Sequence, residues 1–360
     1  MLKIFKNSWA LFSGYAILIT AHGFQGNLLQ VRSVIEDFSF ITTGIIMTGY
    51  FVGYFVGANI IPNLVSKVGH IRVFAAFASM ASLSILIHAV FVNPFIWTAC
   101  RFITGFSLIG VYIVTESWLN DRATNRNRGG VLAIYMFITF VGLAVGTLLL
   151  NFNTPQKFEP FILISLLFSI ALVPILLTKR KPPKFKKTTS IKIKELFKIS
   201  PFGSFSMICT GLIFAPIFTL LSVYSITMNL SVFETSLLLV GTMLAGALFQ
   251  WPIGYLSDRY DRRVIIIGSS VAASIFAILA VVVSGAGASL PNLFMETTVS
   301  FNYFSTTMDK TKLFLFIILL SGTTLPLFSL NLALVNDQIP KEKFVAAGGG
   351  LNIIFGIGAI

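Results

Sequence analysis

Residues 236–284 read SLLLVGTMLAGALFQWPIGYLSDRYDRRVIIIGSSVAASIFAILAVVVS, and this stretch gives the clearest indication of the fold class. Two apolar runs, 236–256 and 264–284, flank one short loop that carries Asp258, Arg259, Asp261, Arg262 and Arg263. A helix of roughly 20 apolar residues crosses about 30 Å of hydrocarbon. The pattern therefore predicts two membrane-spanning helices that are joined by a tight, charged hairpin.

The composition of the whole chain agrees with this hairpin. Of the 360 residues, 56% are hydrophobic and only 11% are charged. Soluble domains carry about 25% charged residues, so the chain has too few charges to cover the surface of a soluble protein. The same apolar excess excludes a disordered chain, and two Cys are too few for a disulfide scaffold. A multi-pass membrane protein remains.

Nine more apolar runs accompany the hairpin, which makes eleven predicted spans. Barrel strands would be about ten residues long with alternating polarity, and these runs show neither property. The other predicted spans are 9–29, 41–61, 73–91, 95–119, 131–151, 161–177, 201–225, 313–335 and a run that begins near Phe344 and is still apolar at Ile360.

The basic residues orient these spans. Of the 26 Lys and Arg, 21 fall in alternate loops, four fall in the remaining loops and one, Arg101, lies inside a span. The positive-inside rule then places the N-terminus in the cytosol and predicts a multi-pass protein of the cell (inner) membrane. The rule also accounts for the net charge of +13, so no nucleic-acid partner is expected.

The only long cytosolic segment, 179–200, carries nine basic residues and Pro182–Pro183. We interpret it as a linker that lies near anionic lipid headgroups. It divides the chain into an N-terminal six-helix bundle, residues 1–178, and a C-terminal bundle, residues 201–360.

The two halves resemble each other in sequence. A shift of 192 residues matches Gly49 with Gly241, and a shift of 216 matches Gly142 with Gly358. The expected fold is therefore all-α, with two six-helix bundles related by a pseudo-two-fold axis along the membrane normal. A complete second repeat would extend beyond Ile360, so we expect the last one to two helices to be missing from this chain.

The loop 254–263, GYLSDRYDRR, resembles the signature Gly-x-Leu-x-Asp-Arg-x-Gly-Arg-Arg of the major facilitator superfamily. Arg101-Phe-Ile-Thr-Gly105 is similar to the Arg-x-x-x-Gly motif of its fourth span. The stretches 101–120, 125–136 and 329–347 look most like the bacterial YcaD-like branch. The resemblance implies a transporter that alternates between inward-facing and outward-facing states around a central site, and many members couple this cycle to protons.

The signature loops predict a cytoplasmic gate. An acid at the end of the eighth span can face the positive N-terminus of a neighbouring helix, which the resemblance identifies as span five. For Asp258 and Arg259 we favour this gate role, while anchoring at the membrane surface explains Arg262 and Arg263 equally well. The predicted gate residues are Gly254, Asp258, Arg259, Arg262 and Arg263, together with Lys67, Gly69 and Arg72. The last three lie between spans two and three, where a less complete copy of the signature occurs.

Two ionisable residues lie well inside a span, Arg101 and Glu116. A charge there costs several kcal/mol, which favours a function in binding solute or protons. They are 15 residues apart on one helix, roughly 22 Å, so they cannot pair directly. We expect Glu116 to pair with Lys67 or Arg72 in the inner gate, with a proton-carrying role as the alternative.

Further site candidates are uncharged or titrate near neutrality. His22, Gln25 and Asn27 form a polar cluster in the outer half of span one, which either lines a cavity or hydrogen-bonds to neighbouring helices. Tyr135, with Tyr50, Tyr54 and Tyr112, can line a cavity or simply pack. No nucleotide loop, catalytic motif or metal-ligand spacing is present in the sequence, so no cofactor or metal is expected.

The leading functional hypothesis is secondary transport of a small solute, coupled to protons through Arg101, Glu116 or His22. Two other classes remain as alternatives: a sensor that binds solute without moving it, and a membrane enzyme that acts on lipid-linked substrates. Scattered acids argue against the enzyme, and short tails argue against the sensor. We therefore expect a non-enzymatic, monomeric protein whose partners are a small molecule, protons and the lipid bilayer.

Overall fold

Helices form every regular element that is described in this computed structural model, which describes residues 2–122, 128–152, 154–178, 193–284, 309–339 and 344–360. A helix satisfies all of its backbone hydrogen bonds within one segment, as a chain surrounded by lipid requires. The predicted all-α fold is confirmed.

The described residues of the first half form seven helices and one 3-10 turn, Leu150–Phe152. The break between the last two helices, at Ala171, divides the predicted sixth span. The helices are α1 (Leu2–Ile35), α2 (Phe40–Val68), α3 (His70–Val90), α4 (Pro94–Arg122), α5 (Arg128–Leu149), α6 (Glu159–Ile170) and α7 (Leu172–Leu176).

Eight helices are described in the second half, where two of the predicted spans are interrupted. The seventh span breaks at Leu220, shortly after Pro216, and the tenth breaks at Leu325–Pro326, because proline removes a backbone donor from the helix. The helices are α8 (Ile193–Ile199), α9 (Pro201–Thr219), α10 (Leu221–Thr227), α11 (Val232–Arg259), α12 (Arg262–Ser284), α13 (Lys310–Thr324), α14 (Leu327–Asn336) and α15 (Phe344–Ala359).

Nine helical segments in the described part of the chain are long and apolar enough to cross a membrane. They correspond to the predicted spans two to ten. Helix α1 covers the predicted first span, but the polar side chains in its second half lower its hydropathy. Helix α15 covers the eleventh span as a shorter apolar helix.

The helix starts reproduce the internal repeat that the sequence predicts. Helices α2 and α11 begin 192 residues apart, and so do α3 and α12. Helices α4 and α13 begin 216 residues apart, and so do α5 and α15. The same pairs of equivalent helices pack together in each half, since α1–α5 corresponds to α9–α15 and α2–α4 corresponds to α11–α13.

Glycines allow the closest of these helix pairs to approach. A Cβ on Gly105 would overlap the carbonyl oxygen of Tyr50, and a Cβ on Gly53 would overlap that of Phe102. Small residues at such positions are typical of membrane helix pairs. Gly49, Gly53 and Gly57, which are spaced four residues apart, therefore form a packing face of α2.

Two contacts between the halves are also related by the repeat. Helix α2 of the first half packs against α15, and its equivalent α11 packs against α5. Phe355 belongs to this interface, because it packs against the apolar cores of both halves. A pseudo-two-fold axis relates the α2–α15 contact to the α11–α5 contact, as this repeat requires.

The C-terminal third of the predicted linker is not a free segment. Helix α8 packs against α9 and α15, and Leu196 is fully buried in the core of the second half. Residues 179–192 lie outside the described residues, so the basic linker itself, and the domain boundaries placed at 178 and 201, stay predictions.

Candidate functional site

A buried arginine forms the centre of the candidate site. Arg101 lies on α4, two turns after its start at Pro94, and only 3% of its surface is exposed. Its Nε and NH1 atoms are buried without a hydrogen-bond partner. No described acid lies within 4.0 Å of its guanidinium group. Because arginine stays protonated in proteins, the described part of the first half contains a charge with no counter-ion in this conformation.

Aromatic rings cover one side of this charge. The guanidinium carbon of Arg101 lies 4.9 Å from the centroid of the Tyr50 ring, a cation–π contact. The His22 ring stacks on the same Tyr50 ring, with centroids 5.3 Å apart. The Nδ1 atom of His22 is buried and has no partner. The structure thus brings two predicted site residues, Arg101 and His22, onto one tyrosine.

A chain of uncharged polar groups lies beside the arginine. Gln25 is fully buried, and its Nε2 donates to the Thr104 hydroxyl at 3.3 Å, while its Oε1 has no partner. Thr104 also hydrogen-bonds to the Ser84 hydroxyl at 3.0 Å. His88 donates from Nδ1 to the Ser84 carbonyl at 2.8 Å and leaves its Nε2 buried without a partner.

This second buried histidine was not among the sequence candidates. His88 is fully buried and lies on α3, while Thr104 lies on α4. A histidine near the end of an apolar run carries no periodic signal. Only the packing of α3 against α4 brings His88 into the same polar group as Gln25.

Four tyrosines connect Tyr50 to the second intramembrane charge. The ring centroids are separated by 6.3 Å for Tyr50–Tyr54, 6.4 Å for Tyr54–Tyr112, 6.2 Å for Tyr112–Tyr15 and 4.9 Å for Tyr15–Tyr135. We call these five residues, with Tyr50 included, the tyrosine array. At its far end the Tyr135 hydroxyl donates to Glu116 Oε1 at 3.2 Å. Arg101 and Glu116, which are too far apart to pair, are therefore joined by aromatic contacts.

The predicted ion pair of Glu116 is wrong for this conformation. Neither Lys67 nor Arg72 lies within 4.0 Å of its carboxylate, and both cations are exposed. The Glu116 side chain instead turns towards α5 and accepts from Tyr135. Sequence distance from the membrane boundary suggested the basic loops as partners, but the packing of the helices determines the actual partner.

The polar cluster of α1 divides into two parts. His22 stacks on the tyrosine that also contacts Arg101, and Gln25 donates to Thr104 on α4, whereas Asn27 contacts the other half of the molecule. Asn27 donates from Nδ2 to the Thr147 hydroxyl at 2.7 Å and accepts from the Ser222 hydroxyl at 3.1 Å. Hydrogen bonding between helices is therefore observed for Gln25 and Asn27, while the lining of a binding site by this cluster stays a prediction.

Gln30 completes the contact between the halves. Its Nε2 donates to the Phe218 carbonyl at 3.0 Å, and its Oε1 accepts from the Ser222 backbone N–H at 3.2 Å. These backbone groups are free because α9 ends at Thr219, between them. We call Asn27, Gln30, Phe218 and Ser222 the outer clasp, since they lie at the predicted outer end. Ser222 had no signal in the sequence, because the clasp depends on a helix break.

The charged hairpin has a different internal order from the one predicted. Arg262 bridges two acids, Asp258 at 3.0 Å and Asp337 at 2.7 Å, and also donates to the Ser257 hydroxyl at 3.1 Å. Arg259 instead lies over the Tyr255 ring at 4.2 Å. Arg262, for which anchoring seemed an equal explanation, is the residue that ties α11 and α12 to the end of α14.

The other predicted gate residues are two glycines, Gly69 and Gly254, and Arg263. Gly69 has a positive φ of 89° and makes the tight turn between α2 and α3, a conformation that favours glycine. Gly254 has open space where a Cβ would be, and the Arg263 side chain is exposed. The predicted contact of Asp258 with the start of α5 involves 123–127 and side chains up to Ala133, which lie outside the described residues.

The family model of the major facilitator superfamily matches residues 11–360. This chain belongs to the major facilitator superfamily. Curated relatives within the superfamily include proteins named "uncharacterized MFS-type transporter YcaD". The one from Escherichia fergusonii is 25% identical over 258 residues, which cover 71% of this chain and 68% of the relative. The one from Escherichia coli K12 strain DH10B is 25% identical over 260 residues.

Solved transporters of the superfamily have the same fold. A point variant of the nucleoside transporter NupG matches 98% of this chain and 88% of its own, with a TM-score of 0.76 and 12% identity. A bacterial homologue of the human lysosomal transporter Spinster, in an inward-facing and unoccupied conformation, matches 98% of this chain and 79% of its own, with a TM-score of 0.73 and 12% identity. The predicted fold and family are confirmed: this is a multi-pass membrane transporter.

Proposed function

We propose that this chain is a secondary transporter that moves a small solute by alternating access, in exchange for or together with protons. It works as a monomer in the cell membrane, with its N-terminus in the cytosol, and it catalyses no chemical reaction. Reaction of an impermeant thiol reagent with a cysteine at Lys157, but not at Ser66, in intact cells checks this orientation.

One observation carries the proposal: among the described residues, the hydrogen bonds between the halves all lie at one end of the molecule. Where both partners are described, three hydrogen bonds join the halves, and all three belong to the outer clasp. At the opposite end, the ion pairs of Arg262 stay within the second half. Hydrogen bonds between the halves that are concentrated at one end, within the described part of the chain, are what one state of a rocking cycle would show.

Glu116 supports proton coupling. It is half-buried on α4, and within the described residues its carboxylate has a tyrosine hydroxyl as its recorded partner and no cation. A carboxyl group that no cation neutralises can take up a proton and release it as its surroundings change between states. Among the fold neighbours, the Escherichia coli protein FucP is described as a fucose:proton symporter, with a TM-score of 0.58 and 12% identity.

The first test measures proton movement directly. Purified full-length chain is reconstituted in proteoliposomes that contain a pH-sensitive dye, and a panel of sugars, nucleosides, organic acids and amino acids is added outside. We expect at least one solute to change the internal pH with wild-type protein. Glu116→Gln cannot exchange the proton and should reduce this change at least tenfold.

The control for this experiment is Glu159→Gln, which removes an exposed carboxylate at the start of α6 and should leave the signal unchanged. Solute flux that is undiminished in Glu116→Gln, and equally coupled to pH, would remove Glu116 from the coupling mechanism. A panel without any flux would contradict the transport proposal itself.

A further inference from the structure

We infer that the transported solute is a monovalent carboxylate, and that Arg101 is the group that binds its carboxylate. The inference rests on the proposed transport function and adds the substrate class. It starts from an imbalance of charge inside the first half of the molecule.

The Arg101 guanidinium can donate five N–H hydrogen bonds, yet its Nε and NH1 atoms are buried and have no acceptor. Its recorded contact is the face of the Tyr50 ring, which attracts a cation but accepts no strong hydrogen bond. A buried charge in this condition destabilises the protein unless an opposite charge joins it. An anionic ligand would supply both the charge and the acceptors.

The internal repeat indicates that the fold itself does not require the destabilising buried charge of Arg101. Ile317 lies at the position equivalent to Arg101 in the second half, on α13, and it is buried as an ordinary apolar residue. The helix pair α11–α13 packs there just as α2–α4 packs around Arg101. Packing at this depth therefore does not require a charge, and the arginine is available for another role.

The shape of the donor group selects the class of anion. A planar guanidinium matches the two oxygens of a carboxylate, which it binds through parallel hydrogen bonds. The buried polar group around it, Gln25, Thr104, Ser84 and His88, contains no second arginine or lysine. A single positive charge balances a single negative charge, which favours a carboxylate over a doubly charged phosphate.

The rest of the solute would lie between two aromatic walls. The tyrosine array extends away from Arg101 in the first half. In the second half, Phe214 and Phe328 each pack edge-to-face on Phe355, with centroids 5.4 Å and 5.3 Å away. Phe355 reaches the core of the first half as well. An apolar or aromatic body attached to the carboxylate suits these surfaces.

The test measures the thermal stability of the purified full chain in sodium sulfate buffer, with three acid–amide pairs as probes: acetate and acetamide, benzoate and benzamide, nicotinate and nicotinamide. Without any probe, Arg101→Met should raise Tm by about 2 °C or more, because it removes an uncompensated buried charge and keeps an unbranched side chain in place of the aliphatic stem of arginine. At least one carboxylate should raise the wild-type Tm, and its amide should not.

Arg101→Met should abolish the carboxylate-dependent shift. The control, Lys157→Met, removes an exposed cation from a loop and should keep it. Three results would each overturn the inference: a lower Tm for Arg101→Met without probe, an equal shift from amides or from sodium chloride, or no shift from any carboxylate. Proton-coupled flux of a neutral solute through Arg101→Met would refute the carboxylate site while leaving the transport function standing.

Discussion

At the scale of single residues, the sequence motifs and the contacts in the structure assign different roles to neighbouring positions. Arg101 and Gly105 belong to one motif, yet the arginine is a charge that lacks a described counter-ion and the glycine is a packing position. Gly105 touches the backbone of Tyr50, which in turn lies under the Arg101 guanidinium. The glycine therefore sets the distance between α2 and α4 at the depth of the candidate site.

This role predicts the effect of adding one methyl group. A Cβ on Gly105 would overlap the Tyr50 carbonyl oxygen, so Gly105→Ala must push α2 and α4 apart. Overpacking of this kind costs about 1–3 kcal/mol, and we expect a lower Tm in a fluorescence-based thermal unfolding assay. Gly254→Ala is the matched control, because a Cβ there meets nothing within 4 Å and alanine favours the helix. Equal Tm values for the two variants would contradict the packing role of Gly105.

At the scale of helices, the most consequential feature is the break between α9 and α10. A continuous helix would have satisfied the Phe218 carbonyl and the Ser222 N–H within its own backbone. Because the helix breaks here, both groups form hydrogen bonds with Gln30 of α1 instead. These bonds link the second half of the molecule to the first. Breaking this link should favour the state in which the outer end is open.

Gln30→Leu tests this link. The substitution leaves the Phe218 carbonyl and the Ser222 N–H without their partner in this conformation, at a cost of about 1–3 kcal/mol, which would shift the proposed conformational equilibrium by roughly tenfold. Ile226 packs against the core of the first half, so a cysteine there reports on opening in a chain that lacks Cys100 and Cys209. Impermeant maleimide added to intact cells should react several-fold faster with Ile226→Cys in the Gln30→Leu background.

The matched control replaces another helical amide. Asn59 donates to the Phe55 carbonyl one turn earlier on its own helix, so Asn59→Leu should leave the labelling rate unchanged. Slower labelling in Gln30→Leu than in the control would mean that the clasp does not hold the outer end shut.

At the scale of the whole molecule, the sequence predicted most of the fold and less of the site. Hydropathy located the spans, and residue matches at shifts of 192 and 216 predicted helix starts that the structure reproduces. The hydropathy of a span is a local signal and the repeat distance is a periodic one, so both can be read from a single sequence. The partner of Glu116, the central place of Arg262 and the contribution of Ser222 depend on which helices meet in three dimensions, and no spacing along one helix encodes that information.

The repeat also shows where the two halves differ in their side chains. The repeat makes their helices equivalent, but the intramembrane charges Arg101 and Glu116 and the tyrosine array belong to the first half alone. Their counterparts in the second half are Ile317 and Leu332, and its aromatic cluster consists of phenylalanines. A repeated scaffold thus carries different side chains at equivalent positions, and the proposed site combines the charged residues of the first half with the apolar residues of the second.

The proposed transport cycle requires the two halves to rotate as rigid bodies, so that one end opens while the other closes. Double electron–electron resonance tests it with one spin-label pair at the predicted outer end, Lys157 and Thr227, and a second pair at the predicted cytosolic end, Ser66 and Tyr260, all of them exposed. Relative to an otherwise wild-type background, Gln30→Leu should lengthen the outer distance and shorten the cytosolic distance. Two distances that change in the same direction, or an outer distance that lengthens while the cytosolic distance stays fixed, would contradict alternating access in this protein.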